Sequence, residues 1–247
     1  MIQSLEHHEL INEEVVEELI EIAELNKDDI VLEIGAGKGI ITKELCKKAN
    51  EVIAVEKDEK CVEVLEKMNL SNLLIISGDF LEVKLPLWNK LVANPPFNII
   101  EPLMYYLSGQ IFDCIVLIAG ENFVKELIDN GETRISIFSK AYFETELISE
   151  LSKTDFLPPP RTRTCIIKIK RKDKMDLNQK ELFLREFFDQ KDKTIKNSFA
   201  ESCTRVFKLT KRQAKEKFDE LEIKEADRRV LLVSNEELKK IIRTLNE

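Results

Sequence analysis

The stretch Ile30-Val31-Leu32-Glu33-Ile34-Gly35-Ala36-Gly37-Lys38-Gly39 constrains this chain more than any other. An apolar run that opens into glycines at alternate positions reads as a buried strand, a tight loop and the start of a helix. Glycines let the backbone turn sharply and let a ligand approach closely. A second apolar run, Val52-Ile53-Ala54-Val55, delivers Glu56 to the end of the next strand. At the carboxyl edge of an open α/β sheet, a carboxylate in that place can accept hydrogen bonds from two ribose hydroxyls. The G-x-G-x-G spacing differs from the dinucleotide fingerprint G-x-G-x-x-G, whose helix N-terminus faces a pyrophosphate. A ligand with a ribose and a charged amino acid but no phosphate suits the pattern better, so S-adenosylmethionine is the expected cofactor.

The surrounding pattern extends this unit into a sheet. Asn12 caps a helix running to about Asn26, with Val15, Val16, Leu19, Ile20 and Ala23 on one face. Strands at Ile30–Ile34, 51–55 and 73–77 alternate with helices at 39–48 and after Asp58, which predicts a parallel sheet with right-handed crossovers. Residues 90–93 and 112–119 continue the sheet, and a helix follows at 121–129. Residues 134–143 fit either element, and the spacing of Ile135, Phe138 and Tyr142 favours a helix. Two closing strands are expected at 145–151 and 164–170, joined through the stiff Pro158-Pro159-Pro160 segment. Beyond Leu177 the pattern is helical. The expected architecture is α/β, with a Rossmann-like S-adenosylmethionine-binding domain over 1–175 and a small helical domain over 176–247.

At 247 residues and 43% hydrophobic content, the chain has enough apolar material for a sizeable core. No apolar run approaches a membrane span and no basic leader opens the chain, so a cytoplasmic protein without a membrane partner is expected. Cys46, Cys61, Cys114, Cys165 and Cys203 are scattered without C-x-x-C spacing, which favours free thiols over a zinc site or a disulfide framework. The net charge is −8, yet residues 158–217 carry 18 Lys and Arg against 8 Asp and Glu. A basic segment in an acidic chain suggests a polyanionic partner such as RNA, met through residues 161–217; the alternative is a pair of solvated charged helices. A monomer is expected.

Two further clusters carry chemistry. Asp79, in Ser77-Gly78-Asp79-Phe80, follows the third strand at the same edge, where it can accept from an adenine amino group or serve as a turn aspartate. Asn94-Pro95-Pro96-Phe97 follows a later strand. Prolines fix the backbone so that the Asn94 side-chain oxygen and the Pro95 carbonyl can both accept from one planar amine, drawing its lone pair out of conjugation. Phe97 offers a π-face to the group bearing that amine. Such a pocket suits a planar amine carried on a ring or on an amide.

These motifs, with Phe156-Leu157-Pro158-Pro159-Pro160-Arg161 and the C-terminal stretches 187–197 and 229–238, resemble the rRNA adenine N6-dimethyltransferase family from about His7 to Glu247. The resemblance implies an S-adenosylmethionine-dependent methyltransferase acting on an adenine of RNA, with rRNA or a ribosomal-subunit precursor as the target. It implies a cofactor set of His8, Leu10, Glu33, Gly35, Gly37, Glu56, Lys57, Asp79, Phe80 and Asn94. The implied catalytic set is Asn94, Pro95, Phe97 and Phe156, with Phe156 stacked on the target's second face and no metal ligand. Two departures stand out. His7-His8-Glu9-Leu10 replaces the family's Q-[NH]-F-L, and Pro95 replaces the Leu or Ile of N-[LI]-P-[YF]. A rigid Pro95 carbonyl and an altered N-terminal segment predict substantial monomethylated product. Methylation of a protein glutamine, or a non-catalytic RNA-binding role, are the alternatives.

Overall fold

The computed structural model describes residues 8–128 and 133–245; His7, Asp129 and Glu247, on which expectations also fell, lie outside them. The chain divides into two compact units, Met1–Lys125 with Thr145–Arg171, and Glu126–Glu144 with Lys172–Glu247.

In the first unit the elements in chain order are β1 (Glu9–Leu10), α1 (Glu13–Ala23), β2 (Ile30–Ile34), α2 (Ile40–Lys48), β3 (Glu51–Glu56) and α3 (Glu59–Lys67). Then come β4 (Leu73–Ser77), β5 (Lys90–Ala93), α4 (Ile100–Leu107), β6 (Cys114–Gly120) and α5 (Glu121–Ile128). After α6 (Arg134–Tyr142), which belongs to the second unit, β7 (Phe143–Leu151), β8 (Phe156–Leu157) and β9 (Thr164–Arg171) complete the strands. Seven of them form one sheet in the order β4-β3-β2-β5-β6-β9-β7. Strands β3–β4, β2–β3, β2–β5 and β5–β6 pair in parallel, whereas β9 runs antiparallel to β6. The order reverses between β2 and β5, so the crevice for a ligand opens beyond their carboxyl ends, where Gly35 and Asn94 follow.

The central strands are buried on both faces, and the nearly continuous apolar text of Val31-Leu32, Val52–Val55 and Ile115–Ala119 reflects this. Helix α1 lays Val15, Val16, Leu19, Ile20 and Ala23 into the same core. Asn12 caps it by accepting from the Glu14 N–H. The opposite, amino edge is tied by polar side chains. Asn89 accepts from the Ile30 N–H and donates to Asp29 and Asp113, and the Lys90 ammonium sits 3.0 Å from Asp29. This network fixes the strand starts. The structure adds a small sheet outside the expected set, in which β1 pairs antiparallel with β8, Glu9 opposite Leu157 and Leu10 opposite Phe156.

In the second unit, α7 (Gln179–Asp189), α8 (Ile195–Phe207), α9 (Lys211–Asp219) and α10 (Asn235–Thr244) surround a phenylalanine core. Phe183, Phe187, Phe188 and Phe199 are fully buried, with Phe183 edge-on to Phe199. Reciprocal caps start three of the helices, Asn178 with Glu181, Thr210 with Gln213 and Ser234 with Glu237. The stretches 187–197 and 229–238 meet here, since Thr194 bridges Arg229 and the Val230 N–H donates to the Lys193 carbonyl. The ambiguous segment at 134–142 is helix α6, and it belongs to this unit. Its Phe138 packs edge-on against Phe188, and the Tyr142 hydroxyl donates to Asp189, burial that explains why its pattern lacks a polar face. A division at residue 175 follows chain order, whereas packing places α6 with the C-terminal helices.

Candidate active site

Strand β2 ends in a loop whose shape depends on its glycines. Gly35 holds φ of +71° and donates to the Val55 carbonyl, while a Cβ there would lie 3.1 Å from Pro96 Cδ. The first glycine therefore permits the close approach of the Asn94 turn as well as the left-handed backbone. Gly39, at φ +84°, ends the loop against Met68 and Leu65, where a Cβ would clash at 2.4 Å.

Glu56 organises this loop from β3. Only 5% exposed, it accepts through Oε2 from the Gly37 N–H at 2.7 Å, and through Oε1 from the Lys57 and Asp58 N–H groups at 2.8 Å each. A carboxylate has about four acceptor positions. With three occupied by backbone N–H groups, Oε2 keeps one open. Glu33 lies deeper, 2% exposed, and accepts from the Thr42 hydroxyl at 2.6 Å. Burial, followed by repulsion from Glu56, pushes its carboxyl up to about 8.

A cavity of about 770 Å³ opens at this edge. Gly35, Gly37, Glu56, Lys57, Asp79 and Phe80 all line it, which unites most of the expected cofactor residues. Asp79 makes a local turn by accepting from the Leu81 N–H, and Phe80 packs edge-on against Tyr106. A second, small cavity of about 30 Å³ lies beside it, lined by His8, Leu10, Glu33 and Asn94.

The Asn94 turn is held from the N-terminal segment. Asn94 Nδ2 donates to the His8 carbonyl at 2.9 Å, and since only the NH₂ end of an amide can do this, Oδ1 is left as the acceptor. The His8 imidazole bonds the Pro158 carbonyl through Nδ1 and lies 5.9 Å from the Phe97 ring. Pro95 is buried, and Phe97 is half-buried above Gly120.

One expected site residue is corrected. Phe156 is 1% exposed and packs in the core with Leu10, Val92 and Ile118, so its ring has no face for a target base. The Leu10 side chain packs in that core too, while the residue also lines the small cavity beside Asn94. The outward neighbours in the β1–β8 pair, Glu9 and Leu157, line the large cavity together with Pro158. Glu9 also pairs with Lys38 of the glycine loop at 2.8 Å. Sequence reasoning passed over Leu157 and Pro158 as cavity residues, although strand alternation beside a buried Leu10 and Phe156 places their neighbours on the opposite face.

The sequence profile of the family described as "Ribosomal RNA adenine dimethylase" matches residues 3–240. The chain belongs to the ribosomal RNA adenine dimethylase family. Membership makes it an S-adenosylmethionine-dependent methyltransferase of rRNA adenine. Among relatives of the family, the "Probable ribosomal RNA small subunit methyltransferase A" of Thermococcus onnurineus is 34% identical over 94% of this chain and 88% of its own length. That of Methanopyrus kandleri is 32% identical over 88% of this chain and 82% of its own. The fold is shared with a dimethyladenosine transferase from Plasmodium falciparum, at TM-score 0.67 and 23% identity, covering 97% of this chain and 98% of that one. It is shared also with the 23S rRNA methyltransferase ErmE, at TM-score 0.64 and 20% identity over 97% and 100% of the two chains.

Proposed function

We propose that this family member methylates N6 of an adenine in small-subunit rRNA, with the cofactor in the large cavity and the target amine between Asn94 Oδ1 and the Pro95 carbonyl. The observation that carries this reading is the Asn94 amide, turned by the His8 carbonyl so that its oxygen remains an acceptor at the carboxyl end of β5. The cavity fits the cofactor in chemistry. Glu56 Oε2 keeps an acceptor position for a ribose hydroxyl, and Asp79 and Phe80 offer an acceptor and an apolar surface for an adenine. Bound S-adenosylmethionine supplies an electrophilic methyl group on a cationic sulfur. Asn94 and Pro95 bind the two N6 hydrogens and raise the nitrogen's nucleophilicity, and Phe97 supports the ring face. N6 would gain the methyl carbon as the carbon–sulfur bond breaks to leave a neutral thioether, and its excess proton would pass to solvent.

The RNA backbone is met by the basic stretch 161–217, and the protein acts as a cytoplasmic monomer. Within that stretch Lys193, Lys196, Arg205 and Arg212 already pair with Glu201, Asp219, Glu186 and Glu216. The exposed Lys208, Lys211 and Lys215 around the start of α9 carry the outward charge.

Asn94→Ala tests the reading. It is expected to keep cofactor affinity within about threefold while losing on the order of a hundredfold in methyl transfer, as for loss of one transition-state hydrogen bond. Tritiated transfer to unmodified small-subunit RNA measures this beside calorimetry. Undiminished transfer in the variant would overturn the role of Asn94, and transfer to protein alone would overturn the substrate.

A further inference from the structure

The β1–β8 pair forms one wall of the large cavity, and the wall carries a charge. Leu10 and Phe156 point into the core, so Glu9 and Leu157, opposite one another, face the cavity. The residue before Glu9 is His8, whose carbonyl holds the Asn94 amide. The wall is therefore joined directly to the group that holds the target amine. Methyl transfer sets the donor sulfur and the acceptor nitrogen on either side of one carbon, so the sulfur must lie on the side of the cavity that adjoins Asn94, along this wall.

The other carboxylates lining the cavity are engaged with backbone. Glu56 accepts three N–H groups, Asp58 caps α3 through the Lys60 N–H, and Asp79 accepts from Leu81. Glu9 instead pairs with the Lys38 ammonium, a side chain 64% exposed to solvent. A solvated partner offsets a carboxylate's field incompletely. Resting on the placement of S-adenosylmethionine in this cavity, we infer that Glu9 is a specificity-determining residue that favours the cationic sulfonium cofactor over its demethylated product. The product has the same adenosine and amino acid, but its sulfur is a neutral thioether. A fixed negative charge on the wall holds the donor and loses its hold when the methyl group has left. Lys38 tempers that discrimination by partly neutralising Glu9. The consequence is faster exchange of spent cofactor, since the interaction that distinguishes the two ligands disappears with the reaction.

The experiment is calorimetric titration of the full chain with S-adenosylmethionine and with S-adenosylhomocysteine, for wild type, Glu9→Gln and Lys38→Met, with thermal melts to establish that each variant is folded. Glu9→Gln keeps the side-chain shape and should lower the donor-to-product affinity ratio by about fivefold, as expected for removing one charge in a partly solvated site. Lys38→Met should move the ratio in the opposite direction. A ratio unmoved in both folded variants, or both ligands weakened in parallel, overturns the inference while leaving the cofactor site standing. A wild-type chain that binds neither ligand overturns the placement of the cofactor and this inference together.

Discussion

Replacing Glu56 with glutamine isolates one hydrogen bond in the cofactor loop. In the folded chain the carboxylate receives three backbone donors, Lys57 and Asp58 on Oε1 and Gly37 on Oε2. The amide of Glu56→Gln can keep its single oxygen toward Lys57 and Asp58, but its NH₂ group then meets the Gly37 N–H, donor against donor in a buried place. Hydrogen bonds to a charged acceptor contribute about 1.5–3 kcal/mol, and a buried donor left unmatched costs on the same scale. A destabilisation of about 2–3 kcal/mol follows, which for a chain of this size lowers Tm by roughly 5–10 °C. Loss of the acceptor position on Oε2 should weaken S-adenosylmethionine by at least about tenfold besides. Differential scanning calorimetry with and without cofactor separates the two effects, because the cofactor-induced rise in Tm shrinks only through the second. A variant with wild-type Tm and wild-type Kd would refute the role assigned to Glu56 in both the loop and the site.

Glu33 gives a pH signature. Its carboxyl ordinarily titrates at 4.5 but is pushed up to about 8 in the fold, so the folded chain keeps a proton that the unfolded chain releases. Its contribution to stability is full below pH 4.5 and falls as pH rises toward about 8. Melts of Glu33→Gln should track wild type in acid and rise progressively above it across that window; a constant offset at every pH would show that the folded carboxyl is not protonated. For RNA, Lys208, Lys211 and Lys215 changed together to Gln should flatten the log–log salt dependence of binding by about 0.7 per lost phosphate contact, and an unchanged slope would place the contact elsewhere. The rigid Asn94-Pro95-Pro96 turn and Glu9 should yield substantial N6-monomethyladenosine; mass spectrometry finding only N6,N6-dimethyladenosine after exhaustive reaction would show that these departures do not limit the second transfer.

The parallel core was legible because each of its strands is a short apolar run bounded by a turn signal. Glu56 and Asn94 stood out for the same reason, as polar residues at strand ends. Helix α6 was harder, since burial of Phe138 and Tyr142 against α7 removes the polar face by which a helix is usually recognised. The two-residue strands β1 and β8 carry too little pattern to be read locally, and their pairing depends on chain far away. That is why Phe156 looked like a base-stacking residue beside its prolines. Only the register with Leu10 turns its ring into the core and brings Leu157 and Glu9 forward.

The β1–β8 pair also has a consequence for the order in which the protein is made. His8 bonds Pro158, 150 residues further on, and the pair closes one side of the cofactor cavity. During synthesis the glycine loop, β2 and β3 emerge early, yet the segment that completes the cavity has no partner until the ribosome has passed residue 158. Contacts of such long sequence separation close late, because the intervening loop must first be ordered. Cofactor capture by a growing chain therefore reports that synthesis has passed β8, and nascent chains ending before β8 should hold the loop without retaining the ligand.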